Sequence, residues 1–511
     1  MLLGLASCLG AALLGCGSSG SNPLGTVSST SNPQVAQYTV QTTGEGTVAV
    51  SFGKTTAYGL QTGVKYVAAP GGPVTIEVGG MQANTLYHMQ ALVQYANGET
   101  VRDADHTFET GAYDPSLLPA VAATTTPGQT PQSGVEVLNP VNSPIKLLAV
   151  DLSGHVIWAY NPGNIGDSAW QAPKLLADGD FIALASIDSS QALAYTPGPG
   201  DFNLVREFDL VGNTVKQITM NQLNSALAAK GYNLHLLVFS HDVVVLPNGH
   251  WLVLANTSES VVLTGATTPT TVLGDVIVDL DTNLQPVWVW NEFDHLDVNR
   301  HPMNFPDWTH TNAVIYSPED GNLLVSIRHQ NWVVKVDYEN GAGSGDILWR
   351  LGAGGDFTLV GGTDPTDWNY AQHGISFASS YSAGIFPLAL VDNGDDRLYP
   401  GQTTNLLCGT AGAQPCYTTI PIFDINESAK TATLTFHQIL PASLYNAWGG
   451  NAEVLANGDV EYDLSAVGNT NSEIFEVTDQ PTPQTVWSLK MTGANMYRAY
   501  RLPSLYPGVQ W

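Results

Sequence analysis

Short runs of alternating apolar and polar residues, separated by turns rich in Gly, Asn, Asp and Pro, cover most of the chain. Alternation with a period of two predicts β-strands, and Asn-Gly or Asp-Gly between two such runs predicts a tight hairpin. One kind of predicted hairpin has such a turn between two apolar strands, and it recurs at residues 175–186, 243–256, 314–327 and 452–465. A second kind has a strand ending in an acidic residue, a turn, and a strand often ending in Trp, at residues 149–158, 207–218, 278–290, 336–349, 422–436 and 475–487.

The two kinds of hairpin alternate as a loose repeat, which indicates four-stranded units. Such units arranged radially, each leaving only short protected edges, make a β-propeller. The sequence therefore predicts an all-β fold with a six-bladed β-propeller over residues 113–511, of which the Pro- and Thr-rich residues 113–133 form a linker. A β-sandwich array or a solenoid is the alternative, which the irregular loops disfavour.

A smaller β unit is predicted before the propeller, at residues 34–112. Residues 81–87 resemble the tyrosine corner of fibronectin type III domains, in which a Tyr hydroxyl ties a strand to the preceding turn. We therefore expect a small fibronectin type III-like β-sandwich that acts as a spacer or packing module.

Composition narrows the class of partner. The 511 residues are 43% hydrophobic and only 12% charged, and the formal net charge is −28. Nucleic acids and anionic membrane surfaces bind basic patches, so this balance argues against both as partners. A local cluster of Arg and His could still bind an anionic small molecule.

The first sixteen residues form an apolar run that is too short to span a bilayer. The run ends in Leu-Leu-Gly before Cys16, which resembles the lipobox of bacterial lipoproteins, although the cationic start of a signal peptide is missing. We expect a lipoprotein signal peptide at 1–16, lipidation of Cys16 and a flexible tether at 17–33. The protein would then be exported, periplasmic or at the cell surface, with the lipid anchor as its membrane contact; an ordinary cleaved signal peptide is the alternative.

Two further cysteines, Cys408 and Cys416, lie close together in a loop rich in Gly. In an exported protein this spacing predicts a disulfide, whereas two free thiols are the alternative.

Histidines recur at one phase of the repeat. The first strand of a propeller blade lines the central channel, and His241, His310 and His373 precede the hairpin turn in three successive predicted blades. We therefore expect them to converge at the channel mouth. Asn312 and Arg328 lie with His310 in residues 307–337, which read as three strands, with Arg328 on the second.

Two other predicted blades place different residues near the same mouth. Trp170 precedes the turn of the second blade, and Trp448 and Asn451 precede the turn of the sixth. We expect the tryptophans, and Trp308 beside His310, to stack on an aromatic substrate, although most propeller tryptophans pack within blades.

Five fragments resemble the bacterial arylsulfate sulfotransferases. They are DWTHTN at 307–312, SIRHQ at 326–330, AQHG at 371–374, DNGDDR at 392–397 and YRAYRLPSLYP at 497–507. The resemblance implies an exported six-bladed propeller with an N-terminal β-sandwich. It also implies a PAPS-independent enzyme, without a cofactor or a metal, that moves a sulfuryl group from a phenolic sulfate ester to a phenolic acceptor.

The resemblance also implies roles for individual residues. His373 corresponds to a nucleophile that carries the sulfuryl group in a ping-pong mechanism, and His310, Asn312 and Arg328 correspond to groups around the sulfuryl oxygens. His241 corresponds to a further site histidine, here preceded by Ser rather than His. Asn451 stands where the family carries a hydroxyl residue, so it is at best a substitute.

Two other classes of function stay open at this level. Three converging histidines could bind Zn or Cu in a metal-dependent hydrolase, although a nearby Arg would repel a cation. The chain could also be a lipid-tethered propeller that binds a ligand or glycan without catalysis, or a scaffold, and a homo-oligomer is possible.

Overall fold

The computed structural model describes residues 25–141, 143–163, 169–187, 189–195, 203–303, 305–379, 381–399, 406–468 and 470–511. The fold is all-β, and the described residues contain one α-helix, α1 (Met220–Ala229). No helix in these ranges is long and apolar enough to cross a membrane. The expected signal peptide at 1–16, with Cys16, lies outside the described residues.

Nine strands form the N-terminal unit: β1 (Gly25–Ser29), β2 (Ala36–Gln41), β3 (Gly46–Gly53), β4 (Leu60–Gln61), β5 (Lys65–Val67), β6 (Pro73–Val78), β7 (Leu86–Tyr95), β8 (Thr100–Arg102) and β9 (His106–Glu109). One sheet has the order β1-β2-β6, and the other has β4-β3-β7-β8 with β5 and β9 beside it. Burial alternates along β2 and β7, as expected where one face of a sheet covers a core. The hydroxyl of Tyr87 accepts a hydrogen bond from the backbone N–H of Gln82 at 3.0 Å, which is the contact expected of a tyrosine corner.

Two boundaries differ from the sequence prediction. β1 lies inside the expected tether 17–33 and pairs with β2, so the sheet starts before residue 34. A further strand, β10 (Ala120–Thr125), lies inside the expected linker 113–133 and pairs with a strand near the C-terminus. Both segments are short and alternate weakly, and their pairing partners rather than their own pattern make them strands.

The remaining strands are β11 (Val135–Pro140), β12 (Leu147–Val150), β13 (Val156–Tyr160), β14 (Ala169–Leu175), β15 (Phe181–Ser186), β16 (Leu204–Phe208), β17 (Thr214–Thr219), β18 (Leu236–Val245), β19 (Trp251–Val261), β20 (Thr270–Leu280), β21 (Pro286–Asn291), β22 (Thr311–Ser317), β23 (Asn322–Ile327), β24 (Trp332–Val336), β25 (Ile347–Leu351), β26 (Thr358–Val360), β27 (His373–Phe377), β28 (Ile385–Val391), β29 (Leu398–Tyr399), β30 (Leu406–Leu407), β31 (Thr419–Asn426), β32 (Thr431–Ile439), β33 (Ala452–Val454), β34 (Val460–Val467), β35 (Asn471–Val477), β36 (Thr485–Thr492) and β37 (Met496–Leu502). Short 3-10 turns lie at Pro115–Leu117, Ser189–Ala194, Glu292–Asp294, Arg328–Gln330, Glu339–Gly341 and Ala442–Leu444.

Six sheets of four or five strands follow the N-terminal unit. The first has the order β13-β12-β11-β37, the second β14 to β17, the third β18 to β21 and the fourth β22 to β25. The fifth has the order β26-β32-β31-β28-β27, and the sixth β10-β36-β35-β34-β33. β29 and β30 form a separate hairpin.

Neighbouring sheets touch through β14, β18, β22, β27, β33 and β37. The C-terminal strand β37 belongs to the first sheet and contacts β34 of the sixth. On β37, Arg501 forms ion pairs with Glu136 of the first sheet at 2.7 Å and with Glu476 of the sixth at 3.0 Å. This arrangement is consistent with a propeller-like fold. The strands β14, β18 and β27 carry the expected site residues Trp170, His241 and His373, and β22 directly follows His310.

Candidate active site

The strands that carry the site are all distorted. The ladders of β14, β18, β22 and β27 with their neighbours each shift register, in the middle of β14 and β18 and at the start of β22 and β27. Four residues at or directly before these shifts have positive φ: Ala172 (50°), His241 (55°), His310 (50°) and Gly374 (50°). Positive φ strains a residue other than Gly, and β-bulges with such strain turn side chains away from the regular pleat, often at active sites.

These distortions bring the three predicted histidines together. The ring centroids of His241 and His310 are 4.6 Å apart, and those of His310 and His373 are 6.3 Å apart. His241 and His373 are 6% and 2% exposed. The structure therefore forms one buried cluster from three sheets, as the common phase in the sequence predicted.

His373 is held in one tautomer. Its Nδ1 lies 2.7 Å from Oδ1 of Asn393, and Nδ2 of Asn393 donates to the carbonyls of Asn446 (2.8 Å) and Gly449 (3.2 Å). Because two carbonyls bind Nδ2, the amide oxygen must face the histidine and accept its Nδ1 proton. Nε2 of His373 then carries the lone pair.

His373 is also neutral. Burial, and next the charge of Arg328, holds the pKa of His373 well below its ordinary value. An uncharged imidazole with a free lone pair on Nε2 is a nucleophile at neutral pH.

Arg328 lies in the turn Arg328–Gln330 directly after β23, so its expected place on the strand is wrong by one residue. Its Nη2 donates to Oδ2 of Asp395 at 2.5 Å and to the carbonyl of Ala447 at 3.2 Å. Its Nε is buried and has no hydrogen-bond partner among the described residues. The guanidinium is thus fixed from one side and keeps an N–H for a ligand. Burial raises the pKa of Asp395 to about 6, against the effect of Arg328.

His310 and His329 share a neighbour, Asp307. Nδ1 of His310 lies 2.5 Å from the Asp307 carboxylate, and His329 stacks on His310 with centroids 4.6 Å apart. His329 donates from Nδ1 to the Asp307 carbonyl at 2.7 Å and accepts from Nη1 of Arg328 at its Nε2 at 2.6 Å. Burial, and next the nearby His310, lowers the pKa of His329 to about 3.

The same three residues could hold a metal ion. Asp307, His310 and His329 each offer one ligand atom, and these atoms lie within 4.8 Å of one another. However, both nitrogens of His329 already have partners, and one of them is the cationic Arg328. A metal at this place would have to displace the guanidinium.

Asn312 is fully buried and binds the backbone next to His373. Its Nδ2 donates to the carbonyl of Gln372 at 2.7 Å, and its Oδ1 has no donor within the described residues. Its side chain therefore connects the fourth sheet to the start of β27.

The residues expected to bind substrate divide into two groups. Asn451 is 7% exposed and lies against Gly374, where a Cβ would be 2.9 Å from its Oδ1. Trp448 is 36% exposed and follows Ala447, the residue that binds Arg328. Both therefore lie beside the histidine cluster.

Trp170 and Trp308 lie elsewhere. Trp170 is 0% exposed and packs edge-on against Tyr160 and Phe208, with centroids 5.3 and 6.2 Å away. Trp308 is 1% exposed and packs on Phe293. Neither ring has a face for a substrate, so the expectation that they stack on a phenol is wrong: both are core residues.

Sequence reasoning missed several neighbours of the cluster. His329, Asn393, Asp395 and Tyr497 all lie in the fragments SIRHQ, DNGDDR and YRAYRLPSLYP, which carried the resemblance but received no role. The ring of Tyr497 is 5.7 Å from that of His241 and 6.3 Å from that of His373. Their presence in the most specific fragments was the signal that could have identified them.

Cys408 and Cys416 form a disulfide, as predicted. Sγ of Cys408 lies 3.3 Å from the carbonyl of Asp395, whose side chain binds Arg328. The disulfide therefore packs directly behind the anchor of the guanidinium.

The Arylsulfotransferase (ASST) family model matches residues 99–501. The chain belongs to the arylsulfotransferase family. This membership supports aryl sulfotransferase activity on small phenolic substrates. No curated protein matches the chain.

Among solved structures, a candidate 6-phosphogluconolactonase from Bacteroides fragilis is 10% identical, with a TM-score of 0.34 over 90% of this chain and 98% of its own. The dihydro-heme d1 dehydrogenase NirN is 12% identical, with a TM-score of 0.33 over 74% of this chain and 80% of its own. At these TM-scores the likeness carries no argument about this protein.

Proposed function

We propose that this protein is a PAPS-independent aryl-sulfate sulfotransferase that works by a ping-pong mechanism through a sulfated His373. The observation that carries the proposal is the imidazole of His373, which is buried and neutral beside Arg328. Its hydrogen bond to Asn393 leaves the lone pair on Nε2. We further propose that the six sheets close into a six-bladed propeller. The contacts of β37 with both the first and the sixth sheets support this closure.

In the first half-reaction, Nε2 of His373 attacks the sulfur of an aryl sulfate, the N–S bond forms and the S–O bond to the phenol breaks. The sulfuryl group in transit is planar and loosely bonded, so positioning and charge stabilisation supply most of the rate, as in phosphoryl transfer. The guanidinium of Arg328, with Nε available, suits the sulfuryl oxygens because it is planar and always charged.

His310 suits the transfer of the phenol proton. The Asp307 carboxylate at Nδ1 stabilises the imidazolium, so His310 can donate a proton to the departing phenolate and take one from the acceptor phenol. In the second half-reaction the acceptor oxygen attacks sulfur, the N–S bond breaks and Nε2 of His373 regains its lone pair. Asn393 keeps a proton on Nδ1 throughout, so the sulfated ring stays cationic and is a good leaving group.

The test is the rate at which the enzyme is labelled by donor alone. Quenched with p-nitrophenyl sulfate and no acceptor, the protein should gain one sulfuryl group on the peptide that contains His373. His310→Asn should slow labelling by phenyl sulfate about 10²-fold, because phenolate needs a proton to leave. It should slow labelling by p-nitrophenyl sulfate much less, because p-nitrophenolate leaves without one.

The matched control is His88→Asn, which breaks another His–carboxylate pair, with Asp105 at 2.7 Å in the N-terminal sandwich. It should leave both labelling rates unchanged. Label on no histidine would refute the covalent intermediate. A stoichiometric Zn or Cu ion whose removal abolishes turnover would favour the metal-dependent alternative at Asp307, His310 and His329.

Asn393 should also control the pH dependence of labelling, through its hydrogen bond to His373. Because the pKa of His373 lies well below the ordinary 6.5, the lone pair stays unprotonated as pH falls through 6.5, and the wild-type rate should not fall there through this group. Asn393→Asp places a carboxylate at Nδ1, which stabilises the imidazolium and raises the pKa of His373. Below the raised pKa the lone pair is protonated, so the acid limb of the rate profile should move to higher pH.

The measurement is the single-turnover release of p-nitrophenolate in stopped flow between mildly acidic and mildly basic pH. Asn97→Asp, in an exposed turn of the sandwich, is the control for added charge. An acid limb at the same pH in Asn393→Asp and wild type would show that Asn393 does not control the protonation of His373.

A further inference from the structure

Three carboxylates meet at the other end of the second sheet. Asp178 and Asp180 lie in the hairpin turn between β14 and β15, and Glu207 lies on β16. Each offers a carboxylate oxygen, and these oxygens lie within 4.8 Å of one another. The cluster lies at the hairpin turn of the second sheet, whereas His241, His310 and His373 belong to the third, fourth and fifth sheets.

The same three positions recur in other sheets of the molecule. In each, the residue before the turn Gly accepts a hydrogen bond from the backbone N–H of the residue after it, at 3.0 to 3.2 Å. The first position is thus the residue before the turn Gly, and the second is the residue after it. The third position lies on the neighbouring strand, opposite the residue two places after the second position. The opposed pairs are Ile182–Glu207, Leu252–Asp279, Leu324–Lys335 and Glu461–Glu476. The four turns can therefore be compared position by position.

Each of the other three turns contains a donor that pairs with a carboxylate. In the third sheet, His250 pairs with Asp279 at 2.9 Å. In the fourth sheet, Lys335 forms an ion pair with Asp320.

The sixth sheet resembles the second most closely. There Nδ2 of Asn457 donates to Asp459 at 3.0 Å and to Glu476 at 3.2 Å. The amide of Asn457 thus binds both carboxylates at this turn. The second sheet has Asp178 at the position of this Asn, so a third negative charge stands where the donor should be.

Nothing in the described chain replaces that donor. Glu207 is only 9% exposed, its carboxylate accepts no hydrogen bond from a described residue, and it points at the other two carboxylates. The nearest lysines bind elsewhere: Lys216 donates to the Thr282 carbonyl at 2.8 Å and Lys65 to the Thr75 carbonyl at 3.0 Å. Lys65 and Lys216 therefore act on Asp180 and Glu207 only through space. Burying like charges together is costly, and burial raises the pKa of Asp180 to about 6.

We propose that Asp178, Asp180 and Glu207 bind a divalent cation, Ca²⁺, which takes the place of the donor found in the other three turns. The donor set is oxygen alone, which Ca²⁺ and Mg²⁺ prefer and which Zn²⁺ and Cu²⁺ do not. Ca²⁺ accepts irregular sets of six to eight oxygens, whereas Mg²⁺ demands a near-ideal octahedron that two turn residues and a strand residue fit poorly.

The surroundings leave room for further oxygen ligands. A cavity of about 340 Å³ next to the cluster is lined by Asp178, Asp180 and Asp209 of the second sheet and by Glu77 and Lys65 of the N-terminal sandwich. Water can therefore complete the coordination. Burial, and next the charge of Asp209, raises the pKa of Glu77 to about 7. Ca²⁺ bound here would stabilise the docking of the sandwich on the second sheet.

The experiment is thermal unfolding and calorimetric titration of the full chain after treatment with a chelator. Millimolar CaCl₂ should raise the Tm in a saturable manner with one ion bound per chain, and MgCl₂ at equal ionic strength should raise it less. Glu207→Gln should weaken Ca²⁺ binding by about tenfold or more.

Asp178→Asn is the decisive variant because it copies the turn of the sixth sheet. It should abolish the response to Ca²⁺ and, in chelator, have a Tm above that of the wild type. Glu319→Gln, which removes one exposed charge from the turn of the fourth sheet, should keep the full response. A wild-type Tm that does not change with Ca²⁺, or that Ca²⁺ and Mg²⁺ raise equally, would overturn the proposal. Labelling of His373 is independent of these outcomes.

Discussion

His373→Asn is expected to lower kcat/KM for p-nitrophenyl sulfate by about 10⁴-fold or more, which corresponds to about 5.5 kcal/mol of transition-state stabilisation. The substituted side chain has no nitrogen lone pair and cannot form the N–S bond. Its amide can still bind Asn393, so the surrounding hydrogen bonds of the fifth sheet should survive. Activity is measured as the initial rate of p-nitrophenolate release with phenol as acceptor.

The control is His437→Asn, in β32 of the same sheet. His437 is half-buried, and burial lowers its pKa as it does that of His373. It is outside the histidine cluster, so its variant should retain wild-type turnover. A His373→Asn enzyme within tenfold of the wild type would show that the sulfuryl group does not pass through this residue.

Arg328→Lys is expected to lower the rate of the first half-reaction by about 10²–10³-fold, although the positive charge is retained. The guanidinium binds Asp395, Ala447 and His329 on one edge and leaves Nε for the sulfuryl oxygens. An ammonium is a compact charge that cannot donate in both directions at these distances. Because the sulfuryl oxygens gain their best contacts in transit, kcat should fall more than the affinity for the donor.

Arg350→Lys tests whether any Arg of the fourth sheet has this effect. Arg350 lies on β25, is partly exposed and pairs with Asp356 at 3.7 Å. Its replacement should change the rate by less than about twofold. If Arg328→Lys retained the wild-type burst rate, the sulfuryl oxygens would have to be held by other groups.

The hairpin repeat could be predicted because the two strands of each hairpin have strong local patterns. β15 is an apolar run and β19 begins with one, next to Asp-Gly and Asn-Gly turns, and such turns form from local chemistry. β1 and β10 could not be predicted, because apolar and polar residues alternate only weakly in GTVSS and AVAATT. Their strand character comes from β2 and from β36, and β36 lies more than 350 residues further along the chain.

The site divides in the same way. Residue type and a common phase in the repeat were enough to select His241, His310 and His373, because the phase is a property of local sequence. They were not enough to separate Trp448, beside the cluster, from Trp170, in the core. Burial of an aromatic ring depends on which sheets pack around it, and the sequence of one strand does not contain that information.

The sequence by itself determined the all-β class, the hairpin repeat, the disulfide between Cys408 and Cys416, and the three histidines. Only the tertiary structure decided which nitrogen of His373 carries the lone pair, that Arg328 is anchored by Asp395, and that one hairpin turn lacks a donor for its carboxylates. The physical reason is that strands and hairpins form from contacts between near neighbours. Protonation, tautomer and charge balance depend on partners from other sheets, which meet only when the whole chain has folded.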